Sequence, residues 1–477
     1  MISRKDFLKT GALSALTIPA MGLPRATQAA SMKRSYEGDA KNVIFLVVDG
    51  MSHGTFALGD LVKSRQYGEH LHWTQLYNQT ERPYHRGLMD MASANSIVTD
   101  SAAAASSWGS GQRINNSGIN WSTEGKPLRS IHHIFRDAGK KTGLVTTTRM
   151  THATPAAFAT AVPSRNYEDQ IAEQYLEAKV DVLMGGGHRH FAGDKRDDGK
   201  DLYGEFRQAG YTVARNKAEM NAAPSEKPIL GIYGDSHLPY TTDHKTDAEL
   251  AKNVPTLAEM TASALDRLDS HPDGFILQIE GGRVDHAAHG NDVSGLIYDM
   301  IAFDDAVGEV LAFTENRDDM LVIITTDHGN ANPGLNGAGP GYNNAPLMLD
   351  QLHTFRHTNE WVFSNMPEDP SARQVRELLA EATQLDLAEM DIEMVMKAMK
   401  GELATPYRAE RTASSVLGKV LANYVSVNFI GDVHTGDYVE LTVLGPGMDR
   451  MDSFTRNTEL FDLMVDMAGV RAMAKSA

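Results

Sequence analysis

Three short apolar runs in this chain of 477 residues each lead directly into a carboxylate. They are Val43–Val48 before Asp49, Phe275–Ile279 before Glu280, and Met320–Thr325, which is followed by Thr326 and Asp327. Continuous apolar runs of this length, separated by stretches of helical pattern, are typical of strands buried on both faces of a sheet. The sequence therefore predicts an α/β fold in which a largely parallel central β-sheet carries helices on both faces.

The carboxylates at the ends of these runs also predict a shared site. Parallel strands bring their carboxyl ends to one edge of a sheet, where open α/β sheets bind ligands. One such acid alone is more often a helix cap or a turn residue. Here, however, Asp327 precedes His328, and Glu280 comes shortly before Asp285 and His289. Asp285 and His289 are four residues apart, so on a helix both face the same way, as metal ligands must.

The cysteine count limits how such a site can bind a metal. The chain has no cysteine, which excludes disulfides, thiolate zinc sites, iron–sulfur clusters and a cysteine nucleophile. Any metal must therefore be held by histidine and carboxylate, which are nitrogen and oxygen ligands that zinc accepts.

A serine at a predicted helix start is the candidate nucleophile. Thr99 or Asp100 can cap an alanine-rich helix whose first turn carries Ser101. The Ser101 hydroxyl would lie at the positive end of the helix dipole, among N–H groups that favour an anion. A free hydroxyl is a poor nucleophile and no Ser-His-Asp motif is nearby, so metal coordination is the alternative activation. Taken alone, this segment and the lone His434 in its Gly-bounded loop fit a capped helix and a surface or core histidine as well.

The first thirty residues have the layout of an export signal. Arg4, Lys5 and Lys9 form a basic start, a mildly apolar run follows, and Ala29 and Ala30 close the segment with small residues. The segment around Arg4 and Lys5 resembles a twin-arginine signal in which lysine replaces one arginine. Residues 1–30 are therefore predicted to be a signal peptide, and the protein is predicted to be periplasmic or secreted.

The rest of the chain is predicted to be one core with an insertion. The core comprises residues 31–330 and 430–477, and residues 331–429, entered through a Gly/Pro/Asn-rich stretch, form a mostly helical insertion. A methionine stripe in the insertion is expected to pack in its core; it comprises Met390, Met394, Met396 and Met399. No apolar run after the signal approaches about 20 residues, so no membrane span is expected. The net charge of −17 argues against nucleic acid as a partner, because phosphate backbones select Lys and Arg.

Seven short motifs resemble, in the same chain order, those of the alkaline phosphatase family. They are Asp49-Gly50-Met51, Thr99–Ala103, His152–Ala157, Ser164-Arg165, Glu280 with Asp285 and His289, Thr326-Asp327-His328, and His434-Thr435-Gly436. Any one motif is only moderately specific, whereas seven in order are very specific. The resemblance runs from about Asn42 to Met448 apart from the insertion, and it implies an enzyme that hydrolyses phosphate monoesters.

The resemblance also implies a role for each matching residue. Ser101 would be the phosphorylated nucleophile and a ligand of one zinc ion, and Arg165 would grip two phosphate oxygens, a task that suits its planar fork. Asp285, His289 and His434 match the ligands of another zinc ion, which binds the leaving-group or water oxygen.

Two further metal sites are implied by the remaining motifs. Asp327, His328 and Asp49 match the ligands of the zinc ion that deprotonates the serine. Asp49 would also bridge to a third site, usually magnesium, which Glu280 and Thr154 would complete. A two-metal site of this kind clamps the attacking and leaving oxygens without a protein general base, and an alkaline pH optimum is expected.

The chain departs from the best-known bacterial members of the family at two positions. His152 and His286 stand around the third metal where those proteins have Asp and Lys, and in this they resemble the animal enzymes and some marine bacterial ones. The identity of the third ion is therefore left open. Residues 331–429 lie where the family has variable crown-like elements that take part in dimer contact or cover the active site, so a homodimer is an open expectation.

Two alternative classes of function remain at this stage. The first is another metalloenzyme of the same superfamily, such as a phosphodiesterase, a sulfatase or a phosphoglycerate mutase, and Thr326–Asn330 is locally mutase-like. The export signal and Arg165 count against a mutase, and no sulfatase maturation motif is present. The second is an exported protein that binds metal or phosphate without catalysis, but a binder needs no nucleophile at Ser101.

Overall fold

A computed structural model describes residues 39–337, 342–403 and 412–474 of the chain, and the predicted signal at residues 1–30 lies outside these ranges. Within them the strands are β1 (Asn42–Val48), β2 (Tyr84–Asp90), β3 (Lys141–Arg149), β4 (Val182–Gly186), β5 (Thr212–Ala214), β6 (Ile229–Ile232), β7 (Phe275–Gly281), β8 (Met320–Thr326), β9 (Gly329–Asn330), β10 (Gly334–Leu335), β11 (Val427–Asn428), β12 (His434–Thr435), β13 (Val439–Leu444) and β14 (Phe454–Arg456).

The helices of the same ranges are α1 (His53–Tyr67), α2 (His72–Asn78), α3 (Ser101–Ser110), α4 (Ile131–Asp137), α5 (Ala153–Ala159), α6 (Glu168–Ala178), α7 (Leu202–Gln208), α8 (Lys217–Ala222), α9 (Thr241–Thr246), α10 (Ala248–Asn253), α11 (Leu257–Asp269), α12 (Arg283–His289), α13 (Val293–Phe313), α14 (Ala345–Leu349), α15 (Asn359–Ser364), α16 (Ala372–Thr383), α17 (Glu389–Met399), α18 (Ala413–Val425), α19 (Glu459–Met467) and α20 (Arg471–Ala474). None of these helices combines the length and the apolar character that crossing a membrane requires.

A ten-stranded sheet forms the centre of the fold, in the order β14-β2-β13-β8-β1-β7-β3-β4-β6-β5. Only β13 runs against the other strands, since it pairs antiparallel with both β2 and β8 while the remaining pairs are parallel. Strand β1 lies at the centre, between β7 and β8, with Val48 opposite Gly281 on one side and Thr326 on the other. This register brings the three carboxylates at the carboxyl ends of these strands to one edge of the sheet.

Helices cover both faces of the sheet, and alternate residues of each strand point into different cores. In β1, Ile44 and Leu46 belong to one buried cluster, while Val43 and Phe45 belong to the other. All seven residues of β1 are buried, as are all seven of β8. The predicted α/β fold with a largely parallel, two-sided sheet is therefore confirmed.

The described part of residues 331–429 is mostly helical, from α14 to α18. Its two ends meet where β10 pairs with β11, and its apolar residues pack in the same cluster as one face of the sheet. The expectation that its methionines are buried is wrong for two of them. Met390 is 69% exposed and Met394 is 36% exposed, because both lie on the outer side of α17. The predicted limits of this segment, and its role as an insertion, stay predictions.

Candidate active site

The carboxyl ends of the three central strands hold the buried acids of the site. Asp49 follows β1, Glu280 is the next-to-last residue of β7, and Asp327 follows β8; all three are fully buried. Gly50 allows a close approach here, since it has a φ of +75° and a Cβ atom at this position would lie 2.5 Å from Asp285 Oδ1. The turn after β1 therefore packs directly against helix α12, which carries Asp285.

One cluster of candidate metal ligands consists of Asp285, His289 and His434. Asp285 and His289 lie one helical turn apart on α12, and His289 Nε2 is 3.4 Å from Asp285 Oδ2. His434 is the first residue of β12, and the pairing of this strand with β9 positions it beside α12. Its Nε2 atom is 3.6 Å from Asp285 Oδ1. Two ligands with helical spacing on α12 and one from a strand at the sheet edge thus lie close together.

A second cluster consists of Asp49, Asp327 and His328, with Ser101 beside it. His328 Nε2 is 3.5 Å from Asp49 Oδ1 and 3.2 Å from Asp327 Oδ2. Ser101 is the first residue of α3, and Asp100 caps this helix by accepting a hydrogen bond from the Ala103 N–H. The Ser101 Oγ atom is 3.3 Å from His328 Nε2, so the predicted nucleophile faces this cluster.

The three imidazoles of these clusters have the same proton arrangement. Nδ1 of His434 contacts the Thr99 carbonyl at 2.9 Å, Nδ1 of His289 contacts the Asp432 carbonyl at 2.7 Å, and Nδ1 of His328 contacts the Gly329 carbonyl at 3.3 Å. A carbonyl oxygen can only accept, so in each ring Nδ1 carries the proton and Nε2 presents a lone pair. The Nε2 atoms of His289 and His434 are 3.1 Å apart, with no proton to share between them. His289 and His434 could both bind a cation through these lone pairs, and its positive charge would resolve the contact.

The third predicted site also gathers polar atoms without partners. Glu280 Oε1, Thr154 Oγ1 and both carboxylate oxygens of Asp49 are buried and accept no hydrogen bond from the described residues. Glu280 Oε2, by contrast, accepts hydrogen bonds from the hydroxyls of Thr146 and Thr148. Buried carboxylate oxygens of this kind need a cation or a proton. The residues present therefore fit metal ions at the predicted positions.

Burial and crowding of the acids raise their pKa values. Burial raises the pKa of Asp327 to about 8 and that of Glu280 to about 7. Burial, followed by the charge of Asp327, raises the pKa of Asp49 well above its ordinary value. Asp285 differs, because the imidazoles around it outweigh its burial and lower its pKa. Several negative charges in so small a buried space require positive charge to balance them.

Arg165 lies at the edge of the site, between α5 and α6. Its guanidinium donates to Asp100 Oδ2 at 3.4 Å and to His152 Nε2 at 3.0 Å. His152 in turn has its Nδ1 atom 4.0 Å from Glu280 Oε1, and it forms a candidate ligand set with Asp49 and Glu280. Arg165 thus joins the helix start that carries the serine to the third cluster.

His286 does not enter any of the three ligand clusters. Its Nδ1 atom accepts a hydrogen bond from Arg283, and its ring lies 5.5 Å from that of His152. Burial lowers the pKa of His286 to about 3, so this ring is neutral.

Two residues of the site were missed by the sequence analysis. His237 packs on His286 with 4.2 Å between ring centroids and receives the Arg149 guanidinium on its Nε2 atom. Asn330 donates from Nδ2 to Asp285 Oδ1 at 2.7 Å and so orients this candidate ligand. Asn330 follows His328 by two residues and could have been suspected, whereas His237 lies in a loop with no motif.

An α/β sheet that brings together a buried serine and three candidate ligand clusters of carboxylates and imidazoles at its carboxyl edge defines a class of metal-binding α/β enzymes. The comparisons with known proteins place the chain within this class. The sequence profile of the alkaline phosphatase family matches residues 40–470. The chain belongs to the alkaline phosphatase family, and the protein is a phosphoric monoester hydrolase.

Individual members of this family are similar to nearly the full length of the chain. Alkaline phosphatase 4 of Bacillus subtilis is 29% identical over 471 residues, which cover 96% of this chain and 95% of the relative. The crystal structure of Thermus thermophilus alkaline phosphatase is 33% identical, has a TM-score of 0.85, and covers 94% of this chain and 96% of its own. A mutant of TAB5 alkaline phosphatase, at 22% identity and a TM-score of 0.62, covers 91% of this chain and 99% of its own, and its structure has Mg bound.

Proposed function

We propose that this protein hydrolyses phosphate monoesters to alcohol and inorganic phosphate through a phosphoserine at Ser101, with two zinc ions and one magnesium ion as cofactors. The observation that carries the proposal is the shared orientation of three imidazoles. His289, His328 and His434 each direct an Nε2 lone pair toward buried carboxylates, with Ser101 Oγ next to one of them. This arrangement supports both metal binding and a nucleophile.

The ligand sets support zinc at two sites and magnesium at the third. Asp285, His289 and His434 would hold one zinc ion. Asp49, Asp327, His328 and Ser101 would hold the other, a nitrogen and oxygen set that zinc accepts. Asp49, Thr154 and Glu280 offer oxygen, which magnesium prefers, while the imidazole of His152 in the same group leaves zinc as the alternative ion at this site. The bound ions would supply Lewis acidity and would stabilise the attacking and leaving oxygens.

The residues of the chain bind the phosphate and make the covalent bond. Arg165 would donate two hydrogen bonds to phosphate oxygens, while the N–H groups at the start of α3 face the same anion. The Ser101 oxygen would then form a bond to phosphorus as the bond from phosphorus to the alcohol oxygen breaks. Water would next displace the Ser101 oxygen, which releases inorganic phosphate and restores the hydroxyl.

Substitution of the nucleophile tests this proposal. Ser101→Ala should lower kcat for 4-nitrophenyl phosphate by at least about a thousandfold, while Asp49, Asp327 and His328, which remain, should still hold a zinc ion. Incubation with a radiolabelled monoester at acid pH should label the parent protein and leave Ser101→Ala unlabelled. A variant that keeps the parent rate, or a parent protein that hydrolyses diesters or sulfate esters better than monoesters, would contradict the proposal.

The location and the assembly of the protein are also part of the proposal. The basic start, apolar run and Ala29-Ala30 end support export by the twin-arginine route. The family supports a homodimer. Cell fractionation of the parent and of Arg4→Gln tests export, since the variant should accumulate in the cytoplasm. Sedimentation of the mature chain tests the dimer.

A further inference from the structure

Ser117, in the loop between α3 and α4, has a backbone conformation that is uncommon for a residue with a side chain. Its φ is +77°, in the left-handed region that glycine adopts most readily. The residue is exposed, so packing of its side chain in a core does not account for this conformation. Residues held in such conformations cluster at functional sites, where surrounding contacts keep them in place.

Both backbone polar groups of Ser117 lead to Arg165. The Ser117 carbonyl accepts a hydrogen bond from the Arg165 N–H at 2.7 Å. The Ser117 N–H donates to Asp100 Oδ2 at 2.9 Å, and the same oxygen accepts the Arg165 guanidinium at 3.4 Å. Ser117 is thus bonded directly to the backbone of Arg165 and, through one carboxylate oxygen, to its guanidinium.

The Asp100 carboxylate is fixed from both sides. Its Oδ1 atom accepts the Ala103 N–H at the start of α3, while its Oδ2 atom receives Ser117 and Arg165. The hydrogen bond from Ser117 therefore keeps Oδ2 directed at the guanidinium. The Arg165 side chain is 24% exposed, and without this contact a long, flexible side chain would have to be ordered when phosphate binds.

The residue before Ser117 holds the loop against the start of α3. Asn116 donates from Nδ2 to the Val98 carbonyl at 3.1 Å, and its Oδ1 atom accepts the Asp100 N–H at 3.2 Å. One side chain thus contacts the backbone on both sides of Thr99. The loop cannot move away from Asp100 without breaking these two hydrogen bonds.

The residues after Ser117 hold the loop against the segment that carries Arg165. Ile119 and Val162 form an antiparallel bridge, with hydrogen bonds of 3.0 Å and 2.9 Å between their backbone groups. Val162 lies three residues before Arg165. Because the loop is anchored on both sides of Ser117, a change of its φ cannot be absorbed by a shift of the whole loop, and the hydrogen bonds of Ser117 itself have to break.

We propose that Ser117 is a positioning residue, whose left-handed backbone holds Arg165 in the orientation in which the guanidinium binds two oxygens of the phosphate group. This inference rests on the proposed function, because it takes Arg165 as the residue that binds phosphate. Ser117 acts through Arg165 and not on the substrate. The effect of a substitution therefore depends on how well the new residue tolerates a positive φ.

Variants that differ in this tolerance test the proposal on the metal-loaded protein. A β-branched residue disfavours positive φ strongly, so Ser117→Val should raise the dissociation constant of inorganic phosphate, measured by calorimetry, and the KM for 4-nitrophenyl phosphate by about five- to twentyfold. The metal content should stay that of the parent. Ser117→Gly, which adopts a positive φ without steric strain, should bring both constants back to within about threefold of the parent.

Lys179→Val is the matched control. Lys179 ends α6 with a φ of +52° and is exposed, and it lies shortly before the amino end of β4, at the edge of the sheet opposite the site. This variant places the same β-branched residue at another left-handed position. It should keep the parent dissociation constant for phosphate, whereas equal weakening in Lys179→Val and Ser117→Val would make the effect a general one and overturn the proposal.

A double-mutant cycle tests the route through Arg165. In the Arg165→Ala background, Ser117→Val should change the phosphate dissociation constant by less than about twofold, because the residue through which it acts is gone. A full effect in that background would overturn the proposal. If Ser117→Val does not fold, Ser117→Thr, which is β-branched but polar, should show the same change by about threefold or more.

The outcomes separate this inference from the proposed function. If Arg165→Ala alone leaves phosphate binding unchanged, the proposed role of Arg165 fails. If Arg165→Ala weakens phosphate binding while Ser117→Val, or Ser117→Thr in its place, binds phosphate like the parent, only the positioning role of Ser117 is wrong. Failure of Ser117→Gly to restore binding would show that the serine side chain is required and would also contradict a role of the backbone.

Discussion

At the scale of single residues, the site is organised by which ring nitrogen carries a proton. The carbonyls of Thr99, Asp432 and Gly329 fix the protons of three imidazoles on Nδ1 before any ligand binds. Asn330 fixes the orientation of the Asp285 carboxylate by donating a 2.7 Å hydrogen bond to its Oδ1 atom. The side chains therefore do not have to reorient when a metal ion enters, which favours high affinity and a defined geometry.

Arg165→Ala should weaken phosphate binding. Loss of two charge-assisted hydrogen bonds should raise the inhibition constant for inorganic phosphate and the KM for monoesters by roughly 30- to 100-fold. Metal content should not change, because Arg165 belongs to none of the ligand clusters. Arg189→Ala, which removes an exposed arginine paired with Asp235, is the matched control and should leave both constants unchanged. Phosphate inhibition equal to that of the parent in Arg165→Ala would refute this role.

Part of the candidate ligand clusters could be predicted from local signals in the sequence, whereas His434 and Thr154 were identified only through the family resemblance. Asp49, Glu280 and Asp327 end apolar runs, and Asp285 and His289 have helical spacing. His237 could not be predicted, since it reaches His286 only through the folding of a distant loop. The exposure of Met390 could not be predicted either, because an apolar stripe on a helix does not reveal how much of it the neighbouring elements cover.

At the scale of elements, the site depends on the close packing of two short helices. Helix α3 begins with Ser101, and helix α5 carries Thr154. They approach closely at Gly109, where a Cβ atom would lie only 2.0 Å from the backbone oxygen of Ala157. Asn120 donates to the same oxygen at 2.6 Å. The distance between Ser101, the proposed nucleophile, and Thr154 thus depends on a glycine that is adjacent in sequence to neither residue.

Gly109→Ala should destabilise the protein although alanine favours helix. The added methyl group has to push α3 away from α5, which should lower the free energy of unfolding by about 1–3 kcal/mol. Urea denaturation measures the loss, and kcat should fall with it as Ser101 moves. Gly334→Ala is the control, because a Cβ atom there would have no heavy atom within 4 Å. Gly109→Ala with parent stability would show that the two helices can separate freely.

At the scale of the whole molecule, buried acids outside the site make stability depend on pH. Burial raises the pKa of Asp299, on α13, to about 7 from an ordinary value of 3.8. Between these values the unfolded chain has released this proton while the folded chain retains it. Folding therefore loses stability as pH rises toward and through about 7. Asp292, at the start of α13, has its pKa raised to about 7 by burial and acts in the same direction.

Asp299→Asn should reduce this dependence, because the amide cannot ionise and its oxygen can still accept the Thr241 N–H hydrogen bond that Asp299 Oδ2 accepts at 3.0 Å. The midpoint of urea unfolding should fall from pH 5 to pH 8.5 in the parent and fall less in Asp299→Asn. Asp305→Asn, on the same helix with a side chain that is 54% exposed, should behave like the parent. Equal pH dependence in the parent and in Asp299→Asn would show that Asp299 ionises freely in the folded chain.

The central position of β1 has a consequence for the order of folding. Asn42, at the start of β1, accepts a hydrogen bond from Phe275, 233 residues further on, and Gly50 donates to Asp327 across 277 residues. Strand β1, the first of the described strands to be synthesised, can therefore pair with β7 and β8 only after these strands have emerged from the ribosome. Such non-local pairing slows folding. A nascent chain that stops before His434 lacks one of the three candidate ligands of the cluster on α12, so this cluster becomes complete only after synthesis has passed this point.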